Sequence, residues 1–240
     1  MSTPTEPLKP KPGAAAAKVG QAVKVFVALA ALIAAGFFIW QQLKPKPAYE
    51  FNAATVTFLD HAQSNAPLDG CDVEGLALVG IDGRPVDLRQ YLGQRNVVLV
   101  ITRGNTSGSG SGAYYRSICL YCAAQTSRLF ANYQAFRDRD AEVVVVFPIR
   151  QLADRGSVSQ FQEALRRDGV TAEPPFPLVL DVELRAVDQL GIRADLSKPA
   201  TYIVDKRGQV RFAYVGATIA DRPSVQSMLE QLAAINADAE

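Results

Sequence analysis

The run Ala141-Glu142-Val143-Val144-Val145-Val146-Phe147-Pro148 limits the fold more than any other stretch of the chain. Successive side chains of a strand point to opposite faces, so a half-exposed strand alternates apolar and polar residues. Here consecutive valines put apolar groups on both faces, and the strand needs cover above and below, as in a parallel sheet flanked by helices. Asn96-Val97-Val98-Leu99-Val100-Ile101-Thr102 reads as a second buried strand. Between the two, Leu129, Phe130, Tyr133 and Phe136 recur every three or four residues, which predicts a helix over Ala123 to Phe136 with one buried face.

The remaining elements fit the same plan. Leu76 to Val79 reads as a strand, Asp82-Gly83 as a turn and Pro85 to Leu88 as its return. Ser157 to Arg167 is a helix with Ser157 as candidate N-cap. Phe176 to Asp181 and Val182 to Leu190 form another strand and helix. Thr201 to Asp205 and Val210 to Val215 make a hairpin across Lys206-Arg207-Gly208-Gln209. Arg222-Pro223-Ser224 opens a last helix, striped by Val225, Met228, Leu229, Leu232 and Ile235. Strand–helix alternation followed by a hairpin predicts an α/β domain, a central mixed sheet with helices on both faces.

Upstream, residues 1–21 are rich in Pro, Lys and Ala and read as a disordered tail. Residues 22–43 are apolar enough for a transmembrane anchor, and as a helix they would extend about 33 Å, the thickness of a bilayer core. Lys24 and Lys44 bracket this stretch, and Trp40 stands where an interfacial aromatic belongs. A cleaved signal peptide is the alternative, but the run exceeds a usual h-region and no A-x-A site follows directly. Lys9, Lys11, Lys18 and Lys24 precede the span, against Lys44 and Lys46 after it. That bias predicts a single pass with a cytoplasmic N-terminus and an exported C-terminal domain, in the periplasm or outside the cell. Residues 44–66 read as a linker broken by Pro45 and Pro47, in which Thr55 to Leu59 could form a short edge strand; the folded domain is expected over 67–237.

Composition removes several function classes. A net charge of +1 gives no electrostatic case for nucleic acid. With His61 as the only histidine, Ser-His-Asp and Cys-His catalysis are excluded unless His61 is the base. A zinc site would need His61, Cys71, Cys119 and Cys122 at an unusual spacing, so no metal or other cofactor is expected. Three cysteines are too few for a disulfide scaffold, yet two of them, Cys119 and Cys122, sit C-x-x-C between a strand and a helix. A helix N-terminus offers free N–H groups and a positive dipole end, which favour a thiolate. Arg103, ending the strand behind the dithiol, and Arg116 are candidate electrostatic partners. Cys71 reads as a free thiol or a second resolving cysteine.

In these features the chain resembles the thioredoxin-like superfamily, and within it the redoxin group that includes the peroxiredoxins of the alkyl hydroperoxide reductase/thiol-specific antioxidant family. The resemblance rests on Asp82-Gly83-Arg84-Pro85-Val86-Asp87-Leu88, on Val97 to Gly104 followed by Cys119-Leu120-Tyr121-Cys122, and on Pro199-Ala200-Thr201-Tyr202-Ile203-Val204-Asp205 with the turn Lys206-Arg207-Gly208. It implies a thioredoxin-like fold and a thiol-dependent oxidoreductase that reduces peroxides or protein disulfides, served by a thioredoxin-like or membrane reductant. It further implies a groove beside the dithiol at Thr102, Tyr121, Pro199 and Thr201, with Pro199 as a cis-proline. The chain departs from the family in two places. The loop from Asn105 to Ser117 lacks the family's proline, so that Cys119 takes the threonine place of the Thr-x-x-Cys motif, and Leu120 stands where many relatives carry proline. Exposure at the helix mouth favours Cys119 as the attacking sulfur with Cys122 resolving, whereas the Thr-x-x-Cys alignment makes Cys122 the attacker. A non-catalytic tethered module that binds a partner is the alternative from another class.

Overall fold

The computed structural model describes Val27 and residues 30–36, 56–69, 72–73, 75–106, 117–167 and 172–238. The chain divides into two units, Met1–Glu50 and Phe51–Glu240. In the first, Val27 and residues 30–36 are helical and exposed; the rest of the expected anchor over 22–43 lies outside the described residues. No helix among the described residues is long and apolar enough to cross a membrane.

The second unit is built on a seven-stranded mixed sheet. Its strands are β1 (Leu78–Gly80), β2 (Pro85–Val86), β3 (Asn96–Ile101), β6 (Ala141–Ile149), β7 (Leu178–Val182), β8 (Ala200–Val204) and β9 (Val210–Val215), in the order β2-β1-β7-β6-β3-β8-β9. The parallel core is β3–β6–β7, and the pairs β3–β8, β8–β9, β1–β7 and β1–β2 are antiparallel. A separate pair, β4 (Asn105–Thr106) with β5 (Ser117–Ile118), closes antiparallel across the Gly/Ser stretch, which itself lies outside the described residues together with Arg116.

The valine run behaves as its composition requires: every residue of β6 is buried. Val98, Val100, Val143, Val145 and Phe147 face one side, where helices α1 (Leu120–Ala131), α3 (Ser157–Arg167) and α5 (Val225–Ala237) supply Leu129, Phe161, Leu165, Met228 and Leu232. Val97, Leu99, Ile101, Val144 and Val146 face the other, against Ala186 and Val187 of α4 (Arg185–Gln189) and against Ile192 and Leu196. Each fully buried valine or leucine contributes roughly 1.5–3 kcal/mol, and β-branched side chains lose little freedom in a strand.

Several boundaries differ from the sequence expectation for local reasons. The helix expected over Ala123 to Phe136 starts earlier and breaks at Asn132, whose backbone N–H and side-chain amide both donate to the Arg128 carbonyl, at 3.1 and 2.8 Å; α2 (Tyr133–Arg137) follows. Ser157 is not an N-cap. A 3-10 turn over Leu152–Gly156 runs straight into α3, and the Ser157 hydroxyl donates back to Asp154 O at 2.7 Å. The helix expected from Val182 begins at Arg185, because Glu183 and Leu184 take left-handed φ values of 62° and 61°. The buried Asp181 carboxylate then caps α4 by accepting from the N–H groups of Ala186 and Val187, both at 2.9 Å.

Residues 56–66, expected to finish the linker, pack on the domain. Val56, Phe58 and Ala62 are buried, and the Ala62 N–H donates to Ser227 Oγ at 3.0 Å. Thr55 lies outside the described residues, and what was expected as an edge strand reduces to one parallel bridge between Leu59 and Pro223.

Candidate active site

Strand β3 ends at Ile101, and the chain turns sharply through Thr102, Arg103 and Gly104 beneath the start of α1. Gly104 has φ +69°, and a Cβ there would lie 2.4 Å from Pro148 O and 2.8 Å from Leu196 Cδ1. The turn therefore requires glycine. Gly104→Ala is expected to cost on the order of 2 kcal/mol, read as a lower urea midpoint with unchanged m-value.

The turn aims the Arg103 N–H at Cys122 Sγ, 3.3 Å away. Cys119 is the N-cap of α1, and its sulfur accepts from the Cys122 N–H at 3.3 Å. The two cysteines differ in exposure: Cys119 is half-buried, and Cys122 is 2 % exposed.

The dominant electrostatic partner is Arg222, a hundred residues downstream of Cys122 and itself 2 % exposed. Its Nη2 donates to Cys122 Sγ at 3.2 Å and reaches Cys119 Sγ at 3.5 Å. Its Nη1 donates to Gln125 Oε1 at 2.8 Å, and its Nε to Ile219 O at 2.8 Å. Among the described residues no carboxylate forms an ion pair with it. A buried guanidinium without an acid is costly unless another anion neutralises it, and the anion within reach is a cysteine thiolate.

The two thiols are driven apart in acidity. Burial alone would raise Cys122. A hydrogen bond from the Cys119 thiol, the charge of Arg222, the Arg103 N–H and the Arg222 hydrogen bond outweigh it and bring Cys122 down to about 6. Cys119 is pushed up, first because its proton is shared with Cys122, then by burial and by the neighbouring thiolate. Of the two sulfurs, Cys122 is the one whose surroundings favour the anion, whereas exposure favours Cys119.

The other expected site residues fall into different roles. Arg103 touches the dithiol through its main chain, and Arg222 supplies the guanidinium contact expected of it. Thr102 is buried, with its hydroxyl donating to Val146 O at 2.9 Å and accepting from Gly104 N at 3.3 Å; it staples the turn and lines no open groove. Thr201 is likewise buried, in β8 opposite Val100. Tyr121 is half-buried and packs against Val56, Phe58 and Ala124. Pro199 is buried beside the loop that carries Arg222, and its carbonyl accepts from Gly216 N at 2.8 Å. Every described peptide bond is trans, so Pro199 is not the cis-proline that the resemblance implied.

No group of metal-ligating side chains occurs among the described residues. His61 is exposed and pairs with Glu230 at 3.3 Å. Cys71 lies outside the described residues. Arg222 was missed in the sequence, where Asp221-Arg222-Pro223-Ser224 signals only a helix start; the sheet and α5 carry it back to the dithiol.

The model of the AhpC/TSA family matches residues 70–213. No curated protein matches the chain. Among solved structures, the reduced 2-Cys peroxiredoxin of Plasmodium vivax is similar at 18% identity, covering 68% of this chain and 77% of that one with a TM-score of 0.52. The mitochondrial 2-Cys peroxiredoxin of Plasmodium falciparum is similar at 17% identity, over 68% of this chain and 92% of that one, with a TM-score of 0.51. A mutant of peroxiredoxin 6 from Arenicola marina gives 13% identity over 71% and 74%, with a TM-score of 0.53. At such identities the likeness shows the fold, a thioredoxin-like mixed sheet with helices. The family model spans more than half of the chain, and the chain belongs to the AhpC/TSA family.

Proposed function

We propose that the chain is a thiol peroxidase in which Cys122 attacks and Cys119 resolves. The observation that carries this reading is the buried Arg222 guanidinium, held 3.2 Å from Cys122 Sγ with a cysteine thiolate as its available counter-charge. A sulfur that is 2 % exposed suits a small oxidant better than a folded protein's disulfide.

The steps balance with one thiolate, one thiol and one solvent proton. The Cys122 thiolate takes the terminal oxygen of a hydroperoxide, the O–O bond breaks, and the sulfur becomes a sulfenic acid. Arg222 stabilises the charge that develops on the departing oxygen. The Cys119 thiol, hydrogen-bonded to Cys122, protonates that oxygen to an alcohol. The Cys119 thiolate then displaces hydroxide from Cys122, which takes up a solvent proton to leave as water, and the disulfide forms. A thioredoxin-like or membrane dithiol would return the pair to the reduced state. No cofactor enters these steps.

The apolar residues 22–43 and their flanking lysines support a single-pass anchor with the domain on the exported side, where a disulfide survives. Fractionation should leave the intact chain with the membrane; an intact soluble chain would remove the anchor.

Rapid mixing tests the chemistry. The reduced protein should form one Cys119–Cys122 disulfide per hydrogen peroxide, faster than it exchanges with an insulin-type disulfide. Quick exchange with slow peroxide oxidation would favour the disulfide reductase instead. Thiols inert to both would leave the partner-binding module.

A further inference from the structure

Arg222 and the segment that holds its main chain both lie outside the 70–213 family match. We propose that residues 56–62 act as a strap that positions Arg222 against the dithiol, making the segment through which the chain enters the domain part of the active-site machinery. This rests on the peroxidase reading and extends it to residues that touch neither peroxide nor sulfur.

The strap brackets Arg222 from both sides. The Leu59 N–H donates to Arg222 O at 2.9 Å, and Ser224 N–H donates to Leu59 O at 2.8 Å. Between these bonds lies the parallel bridge from Leu59 to Pro223. The strap is fixed at its two ends to the two helices that frame the site. On α1, the Arg128 guanidinium donates to Val56 O and lies 4.7 Å from the centre of the Phe58 ring. On α5, Ala62 N donates to Ser227 Oγ at 3.0 Å, and Gln231 Nε2 donates to Ala62 O at 3.2 Å.

The far side of the arginine loop has its own restraints. Asp221 accepts from the Tyr214 hydroxyl and from Ala217 N at 2.8 Å. At Gly216 a Cβ would lie 2.2 Å from Asp221 O and 2.8 Å from Pro199 Cγ, so the loop already lies in close contact there. The strap supplies the other side of the frame that sets where the Arg222 backbone sits, beside the Gln125 Nε2 bond to Pro223 O at 3.4 Å. A charge-assisted hydrogen bond weakens steeply with misalignment, so a small shift of this backbone reaches the sulfur.

The test uses the full chain and the pH dependence of Cys122 alkylation by iodoacetamide, with the labelled site mapped by mass spectrometry. Leu59→Pro removes the N–H given to Arg222, and Leu59 is 43 % exposed and lies outside the buried core. Its inflection should move up by about one unit, read as roughly tenfold slower labelling near pH 6. Arg128→Gln removes the guanidinium's hold on Val56 O and Phe58, leaves the apolar contact with Tyr121 and Ala124, and should move the inflection in the same direction by less. Leu152→Ala, on the exposed 3-10 turn, should leave it in place. A folded Leu59→Pro protein with the unaltered inflection overturns the strap; if that variant does not fold, Arg128→Gln decides in the same way. An unsubstituted protein whose Cys122 titrates as an ordinary thiol would instead overturn the peroxidase reading.

Discussion

Replacing Cys122 with serine should cut peroxide consumption on the order of a thousandfold or more, because it removes the sulfur whose charge Arg222 and the Arg103 N–H favour. Replacing Cys119 with serine should leave the first step within about tenfold of the original, since a serine hydroxyl still donates a hydrogen bond to the Cys122 sulfur. That variant should stop at the sulfenic acid. Dimedone would trap one adduct at Cys122, and excess peroxide would carry the sulfur on to sulfinic acid because no resolving thiol remains. Turnover with a dithiol reductant should fall far more than the first step does. A dimedone adduct at Cys119 in the Cys122→Ser protein, with no reaction in the Cys119→Ser protein, would reverse the two roles. Mapping each adduct by mass spectrometry keeps Cys71, the third thiol, out of the accounting.

The contrast between the two cysteines was visible in the sequence only in part. Val143 to Val146 revealed a strand covered on both faces, and Met228 with Leu232 revealed a buried helix stripe, because those patterns repeat with the period of the element that bears them. The C-x-x-C at the start of α1 was legible for the same reason, as a local feature beside a local pattern. What failed depended on contacts between distant residues. Nothing near Arg222 in the chain distinguishes it from a surface arginine, and its burial follows from the packing of β9, α5 and the strap around it. Phe58 and Val56 read as linker residues because their partners, Ala124, Tyr121 and Arg128, come about seventy residues later. Asn132 and the left-handed pair Glu183 and Leu184 moved helix ends through single side-chain or backbone choices that periodicity does not register.

Arg222→Met should slow the reaction with hydrogen peroxide by roughly a hundred- to a thousandfold at pH 7. Two effects combine. The thiolate loses its cation, so burial pushes Cys122 up toward the ordinary thiol range, against the Cys119 hydrogen bond and the Arg103 N–H that remain. The departing oxygen also loses a charged hydrogen-bond donor in a site with little water. Since the thiolate is the nucleophile, the rate rises as pH climbs through the Cys122 value and then levels. The unsubstituted protein should therefore inflect near 6 and be flat at neutral pH, while Arg222→Met should still be rising at pH 8. Arg222→Lys separates the two effects, for it restores a positive charge without the fork that also engages Gln125 and Ile219. It should recover the low inflection in part and the plateau rate less well. Removing the guanidinium also strips hydrogen bonds from Gln125 Oε1 and Ile219 O, with an expected stability loss of about 2 kcal/mol or more. Each rate is therefore compared in protein shown to be folded by circular dichroism. A folded Arg222→Met protein that keeps the low inflection and the original rate would leave the buried arginine a purely structural residue, and Cys122 without the cation that sets it apart from an ordinary buried thiol.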